Sequence, residues 1–160
     1  MAIFHVSAAV ISKGSSGGGA VGLARYLERT DQAYATQHRR YLERDGHDGA
    51  RDLVASGSEH LPGWANDAEH FWMTADRYER KGGVIARTYE FALPRELSPA
   101  GRLGLADDIR ATFFAQYPHT WAVHCPEVHT VQGGGKEQPH MHVMFYHSIT
   151  ILILTGNSFV

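Results

Sequence analysis

The chain has 160 residues, enough for one domain with a real core and too few for two comfortable ones. Hydrophobic residues make up 43% and charged residues 20%, as in an ordinary globular protein, and a net charge of −2 argues against bulk, nonspecific nucleic-acid affinity. The single cysteine, Cys125, excludes an internal disulfide framework and fits a reducing compartment.

"MAIFHVSAAVIS" has no basic leader and alternates like a strand, with Phe4, Val6, Ala8 and Val10 on one face and Ile3, His5, Ser7 and Ala9 on the other. "KGSSGGG" is a loop of exposed backbone. From Ala20 the period changes: Ala20, Leu23, Ala24 and Leu27 predict an amphipathic helix to about Thr30, with Tyr26 on the flank of its stripe. Residues 36 to 63 are polar and weakly periodic, a surface excursion with a short helix near Gly49 to Val54. "GWANDAEHFWMTADRYERKGG" predicts a helix that stops at the paired glycines.

"VIARTYEFALP" alternates as a strand, Tyr89, Phe91 and Leu93 facing inward and Thr88, Glu90 and Ala92 opposite. The next helix has Ser98 as N-cap and Pro99 at its first position. "HTWAVHC" is another strand, "GGGKEQ" the tip of a hairpin, and "PHMHVMF" the strand that returns from it. The late "ITILILT" run is far shorter than the roughly 20 residues needed to cross a bilayer. A soluble, cytoplasmic chain with no membrane insertion is expected. The order of elements predicts an α+β fold: a mostly antiparallel sheet with helices on one face and a histidine metal site on the other.

Side chains at i and i+2 of a strand share a face, so His140 and His142 project together. His124 stands on the equivalent face of its own strand. With every apolar face against helices, the opposite face collects His5, Ser7, Glu90, His124, His140 and His142. Three neutral imidazoles with open positions describe a catalytic metal site, and as a ligand set they suit Zn²⁺, Mn²⁺, Co²⁺ or Ni²⁺ better than Mg²⁺. Glu90 is placed to orient one of them from behind. The bland alternative is a set of half-exposed strand histidines.

"AIFHVSAAVIS", "AVGLARYLER", "FWMTADRYERKGG", "YEFALPRELSP", "WAVH" and "QPHMHVMF" together resemble the MobA/MobL family of conjugative relaxases, from residue 2 to about 145. The resemblance implies nicking and rejoining of one DNA strand at a plasmid transfer origin through a 5′-phosphotyrosine intermediate. By position Tyr26 resembles the nucleophile, with Tyr34 and Tyr41 as fallbacks. His124, His140 and His142 resemble the metal ligands, and Glu79 and Glu90 the assisting carboxylates. The ion expected is Mg²⁺ or Mn²⁺ first, then Zn²⁺ or Ni²⁺.

The implied partners are single-stranded DNA, relaxosome accessory proteins and a coupling protein, in a bacterial cytoplasm. Where the family continues with a charged segment and further structure, this sequence runs into an apolar tail. The expected division is therefore a C-terminally incomplete relaxase domain, residues 1–148, and a divergent tail, residues 149–160. Two other functions fit the residues: a His₃ metal hydrolase of a small substrate, and a degenerate single-strand-binding fragment.

Overall fold

The structure, a computed structural model, describes residues 5–14, 19–30, 52–129 and 135–147. Its elements are β1 (Val6–Ser12), α1 (Gly19–Leu27), β2 (Leu53–Glu59), α2 (Ala68–Tyr78), β3 (Val84–Ala92), α3 (Pro99–Phe113), β4 (His119–His124), β5 (Glu127–His129), β6 (Gly135–Glu137) and β7 (His140–Phe145). Five strands form one sheet in the order β1-β3-β7-β4-β2, every neighbouring pair antiparallel. β5 and β6 form a separate two-stranded hairpin between β4 and β7. The α+β class and the antiparallel sheet are as expected. No helix among the described residues is long and apolar enough to cross a membrane.

The two faces of the sheet carry separate cores. Val123, Met141, Val143 and Phe145 pack with Tyr89, Phe91 and Trp121 under the α3 residues Leu103, Ala106 and Ile109. Ala86, Ala122 and Met144, on the other face, pack under α1 and α2 through Ala20, Ala24, Leu27, Phe71, Trp72 and Ala75. The expectation that all helices share one face, away from the histidines, is thereby corrected: α1 and α2 lie on the histidine face. That face is divided along the strands. Its Ala86–Met144 half is apolar and small and must be covered, whereas the half bearing His124, His140 and His142 is left beyond the end of α1. Alternation tells which residues share a face, not how far along it a helix reaches.

β2 replaces the surface excursion and short helix expected near it; residues 31–51 lie outside the described residues. Its sequence, "LVASGSE", has little strand propensity of its own. Pairing with β4 makes it a strand. Gly57 stands opposite Trp121, where a Cβ would come within 3.3 Å of the indole. Ser58 Oγ and Thr120 Oγ1 share a hydrogen bond of 2.7 Å.

The helix starts are fixed by side chains. Asp67 caps α2 by accepting from the His70 amide at 2.7 Å, and Ser98 caps α3 through the Gly101 amide at 3.1 Å, as expected. α1 takes its cap from another helix: the Asp76 carboxylate of α2 accepts from the amides of Ala20, 2.9 Å, and Val21, 3.0 Å. Gly19 begins α1 at φ +70, and a Cβ there would collide with that carboxylate at 2.6 Å. The tail, residues 149–160, lies outside the described residues.

Trp72 is wholly buried between α2 and the sheet, and its indole N–H donates to Thr120 Oγ1 at 2.8 Å. Thr120→Val keeps the shape and removes the acceptor, leaving a buried donor unpaired. The expected loss is about 1–3 kcal/mol of unfolding free energy. Urea unfolding checks this; an unchanged midpoint would show that the indole finds another partner.

Candidate metal centre

The register of β7 between its neighbours builds the centre. His124 of β4 pairs with His140, while His142 lies between Ala122 of β4 and Glu90 of β3. The next strand adds Ser7 beside Glu90. Paired residues share a face, so the three imidazoles converge. Their ring centroids stand 4.9, 5.3 and 5.5 Å apart. One nitrogen from each ring lies within 4.8 Å of the others.

Two of the rings have their other nitrogen committed to a backbone carbonyl. His124 Nε2 donates to the Leu27 carbonyl at the end of α1, 3.0 Å away, and a carbonyl can only accept, so Nδ1 keeps its lone pair. His140 Nδ1 likewise donates to the Gln138 carbonyl at 2.8 Å, freeing Nε2. His142 Nδ1 faces a Glu90 carboxylate oxygen at 3.8 Å. The anchored N–H and free lone pair of His124 and His140 are the way ligating histidines are held.

Burial pushes His124 down to about 4, with the Arg29 charge next in effect. Burial, then the neighbouring His140 and His124, pushes His142 down to about 3. Both are neutral near pH 7, the form that binds a metal. The donor set therefore fits a divalent ion, and its nitrogens suit Mn²⁺, Zn²⁺ or Ni²⁺ better than Mg²⁺.

Arg29 ties the end of α1 to this cluster. Its φ of +56 turns the chain out of the helix, with its amide still bonded to the Tyr26 carbonyl at 3.1 Å. Its guanidinium donates to both Asp52 carboxylate oxygens, at 3.2 and 2.9 Å, and lies 3.5 Å from His124 Nδ1. The same guanidinium lies over the Tyr26 ring, 4.5 Å from its centroid. Burial alone would lower Arg29, but the hydrogen bonds and charge of Asp52, with a side-chain hydrogen bond to Tyr26, carry it above its ordinary value.

Tyr26 is thus one residue removed from His124, packed on its flank by the α1–α2 core. Beside the cluster, His5, Glu90, Pro94, Gln138, Pro139 and His140 line an open cavity of about 240 Å³.

The MobA/MobL family model matches residues 25–150. The chain belongs to the MobA/MobL family. It is 37% identical over 120 residues to the 43 kDa relaxation protein of Salmonella typhimurium, covering 72% of this chain and 32% of that protein. It is 33% identical over 149 residues to Mobilization protein A of Escherichia coli, covering 93% of this chain and 18% of that one. The chain thus spans a third or less of the length of these two relatives. A solved structure described as "Molecular Basis of Vancomycin Resistance Transfer in Staphylococcus aureus" superimposes with a TM-score of 0.57 over 90% of this chain and 70% of that one. At 16% identity, that likeness shows the fold.

Of the residues expected from the sequence, this MobA/MobL chain brings together His124, His140, His142, Glu90 and, through Arg29, Tyr26. Glu79 is not among them. It ends α2 and accepts from the Tyr146 hydroxyl at 3.3 Å, past the far end of β7. Four residues of extended chain, about 13 Å, separate Tyr146 from His142. Tyr34 and Tyr41 lie outside the described residues. Arg29 and Asp52 were missed as site residues. Arg29 follows Tyr26 by one helical turn, a usable signal, whereas nothing marks Asp52 in its polar stretch.

The lowered histidines make stability depend on pH in a definite direction. In the metal-free protein the unfolded chain takes up protons near pH 6.5, while folded His124 and His142 resist until about 4 and about 3. Their contribution is complete above pH 6.5 and is lost as pH falls towards those values. Each histidine should cost roughly 1–2 kcal/mol of stability between pH 7 and 5. Urea midpoints of metal-free protein at the two values check it, and His142→Gln should flatten the dependence.

Proposed function

We propose that this chain is the nicking domain of a conjugative relaxase, acting on single-stranded DNA at a transfer origin. The observation that carries the reading is the convergence of three histidines from β4 and β7 with Tyr26 one contact away, in a MobA/MobL chain. His124 Nδ1, His140 Nε2 and His142 Nε2 would hold a divalent ion. Mn²⁺ suits both the nitrogen ligands and the family resemblance, Mg²⁺ follows from the resemblance alone, and Zn²⁺ or Ni²⁺ from the ligands. When bound, that ion would neutralise charge on the non-bridging oxygens of the scissile phosphate.

Tyr26 is the nucleophile in this reading. Its phenolic oxygen attacks the phosphorus, a bond forms between them, and the bond from phosphorus to the 3′ oxygen breaks. The strand leaves with a free 3′-hydroxyl, which ends with the proton the phenol gave up. The 5′ phosphate stays on the tyrosine. One phosphoester replaces another, so the step reverses when a 3′-hydroxyl returns, and the strand is rejoined.

Arg29 holds the phenol ring in place, and Glu90 orients His142. Glu79 supports Tyr146 and takes no part. The cavity beside His140, with prolines on its walls and polar groups from His5 and Gln138, suits a base or sugar next to the scissile phosphate. The activity would be cytoplasmic in a bacterium and would draw on accessory proteins and a coupling protein.

Tyr26→Phe removes one oxygen and keeps the packed ring. It should abolish the covalent protein–DNA adduct while leaving Mn²⁺ and single-strand affinity nearly unchanged. A denaturing gel with single-stranded oligonucleotides spanning the transfer origin reads this directly. Persistence of the adduct would move the role to another tyrosine, and cleavage without an adduct would favour a hydrolase.

His142→Ala removes one of three ligands and should weaken Mn²⁺ binding by about tenfold or more. Titration calorimetry measures it, and an unchanged affinity would leave His142 outside the metal site.

A further inference from the structure

The neighbourhood of His124 contains a conflict. Its Nε2 proton is spent on the Leu27 carbonyl, so Nδ1 is the nitrogen left to bind a metal. Yet Arg29 Nη2 already faces that Nδ1 at 3.5 Å. A guanidinium only donates and an unprotonated imidazole nitrogen has one lone pair, so Nδ1 serves one partner at a time. We propose that Arg29 competes with the divalent ion for His124 Nδ1, setting the site's metal affinity lower than three histidines would give. The inference rests on the reading that these histidines hold a metal.

Three features make the competition specific. Arg29 is not a loose surface cation: its side chain is 13% exposed and that of its partner Asp52 11%. Its left-handed backbone and its bond from Nη1 to the Tyr26 carbonyl, 3.0 Å, fix where the guanidinium points. Its tie to Asp52 Oδ2 is shorter than its approach to His124, 2.9 against 3.5 Å. The guanidinium therefore has a partner to keep when it yields Nδ1, and no buried charge is stranded. A residue that merely braced the fold would, on removal, loosen the histidines and weaken metal binding. Competition predicts the opposite sign.

The test is calorimetric titration of the chain with MnCl₂ at pH 7.5. Arg29→Gln alone would uncover the Asp52 anion, which could attract the ion by itself. The comparison is therefore wild type against Arg29→Gln combined with Asp52→Asn, which removes both charges together. The expected result is Mn²⁺ affinity tightened by about threefold or more, since the rival for the lone pair is gone while the net charge beside the site is unchanged. A smaller gain, no change or a loss overturns the inference. Wild-type protein that takes up no Mn²⁺ removes the metal reading and this inference together. Should the double variant not fold, wild-type protein titrated with Zn²⁺ and followed by ¹⁵N NMR decides. The Arg29 guanidinium resonances should shift in step with His124 Nδ1. Guanidinium signals that stay still while Nδ1 takes the metal count against competition.

Discussion

Everything at the centre depends on the register of β7 between β3 and β4. The strand is buried on its α3 face by Met141 and Val143, both fully inaccessible. A slip of one residue would carry those two side chains to the histidine face and drive His140 and His142 into the aromatic core. That core is dense: Phe145 alone lies within 6 Å, centroid to centroid, of Tyr89, Phe114 and Tyr117. Apolar packing on one face thus sets the position of polar groups on the other. The histidine cluster needs no strong interactions of its own to be held, because the hydrophobic face of the same strand does the holding.

The second constraint is the placement of α1, which brings in everything the sheet does not supply. Asp76 of α2 fixes its first turn by taking two amides, and Leu27 closes its last turn against His124. Between those ends the helix packs small residues, Ala20 and Ala24, on Phe71, Trp72 and Ala75. Small side chains bring the helix close to its neighbours, and that closeness allows a helix-end carbonyl to reach a strand histidine. The same carbonyl is one that the helix cannot satisfy internally. One hydrogen bond therefore finishes the helix, buries His124 in a single tautomer and aims its other nitrogen at the cluster.

Much of this was legible in the sequence because it is written in short-range patterns. Period-two alternation marked β1, β3, β4 and β7 and assigned His124, His140, His142 and Glu90 to one face. Helical spacing and Ser98-Pro99 marked the helices. What escaped was set by contacts between distant parts of the chain. β2 is a strand because β4 lies beside it, with Gly57 admitting the Trp121 ring, and no local pattern in "VASGS" says so. Asp52 has meaning only beside Arg29. Glu79 looked like a site carboxylate from its neighbours in sequence, but its helix ends at the opposite end of β7. The division of one sheet face into a covered half and an open half is likewise a property of the packed helices.

In the proposed reading, the charges around the centre favour a phosphodiester over a neutral small molecule. Arg29 and Asp52 cancel one another, and His124 and His142 are uncharged near neutral pH. Glu90 adds a negative charge to the His142 side of the cluster, and its side chain is 42% exposed, so water screens much of it. A divalent ion placed among the histidines would therefore leave the site with excess positive charge in partly buried surroundings. The ligand that relieves it must be anionic and must reach the open half of the face. A single-strand phosphate meets both conditions, and the charge that develops on it during attack by a phenol is of the sign the site lacks. In that reading, a ligand set without carboxylates is the arrangement that would leave more of the ion's charge to act on the strand.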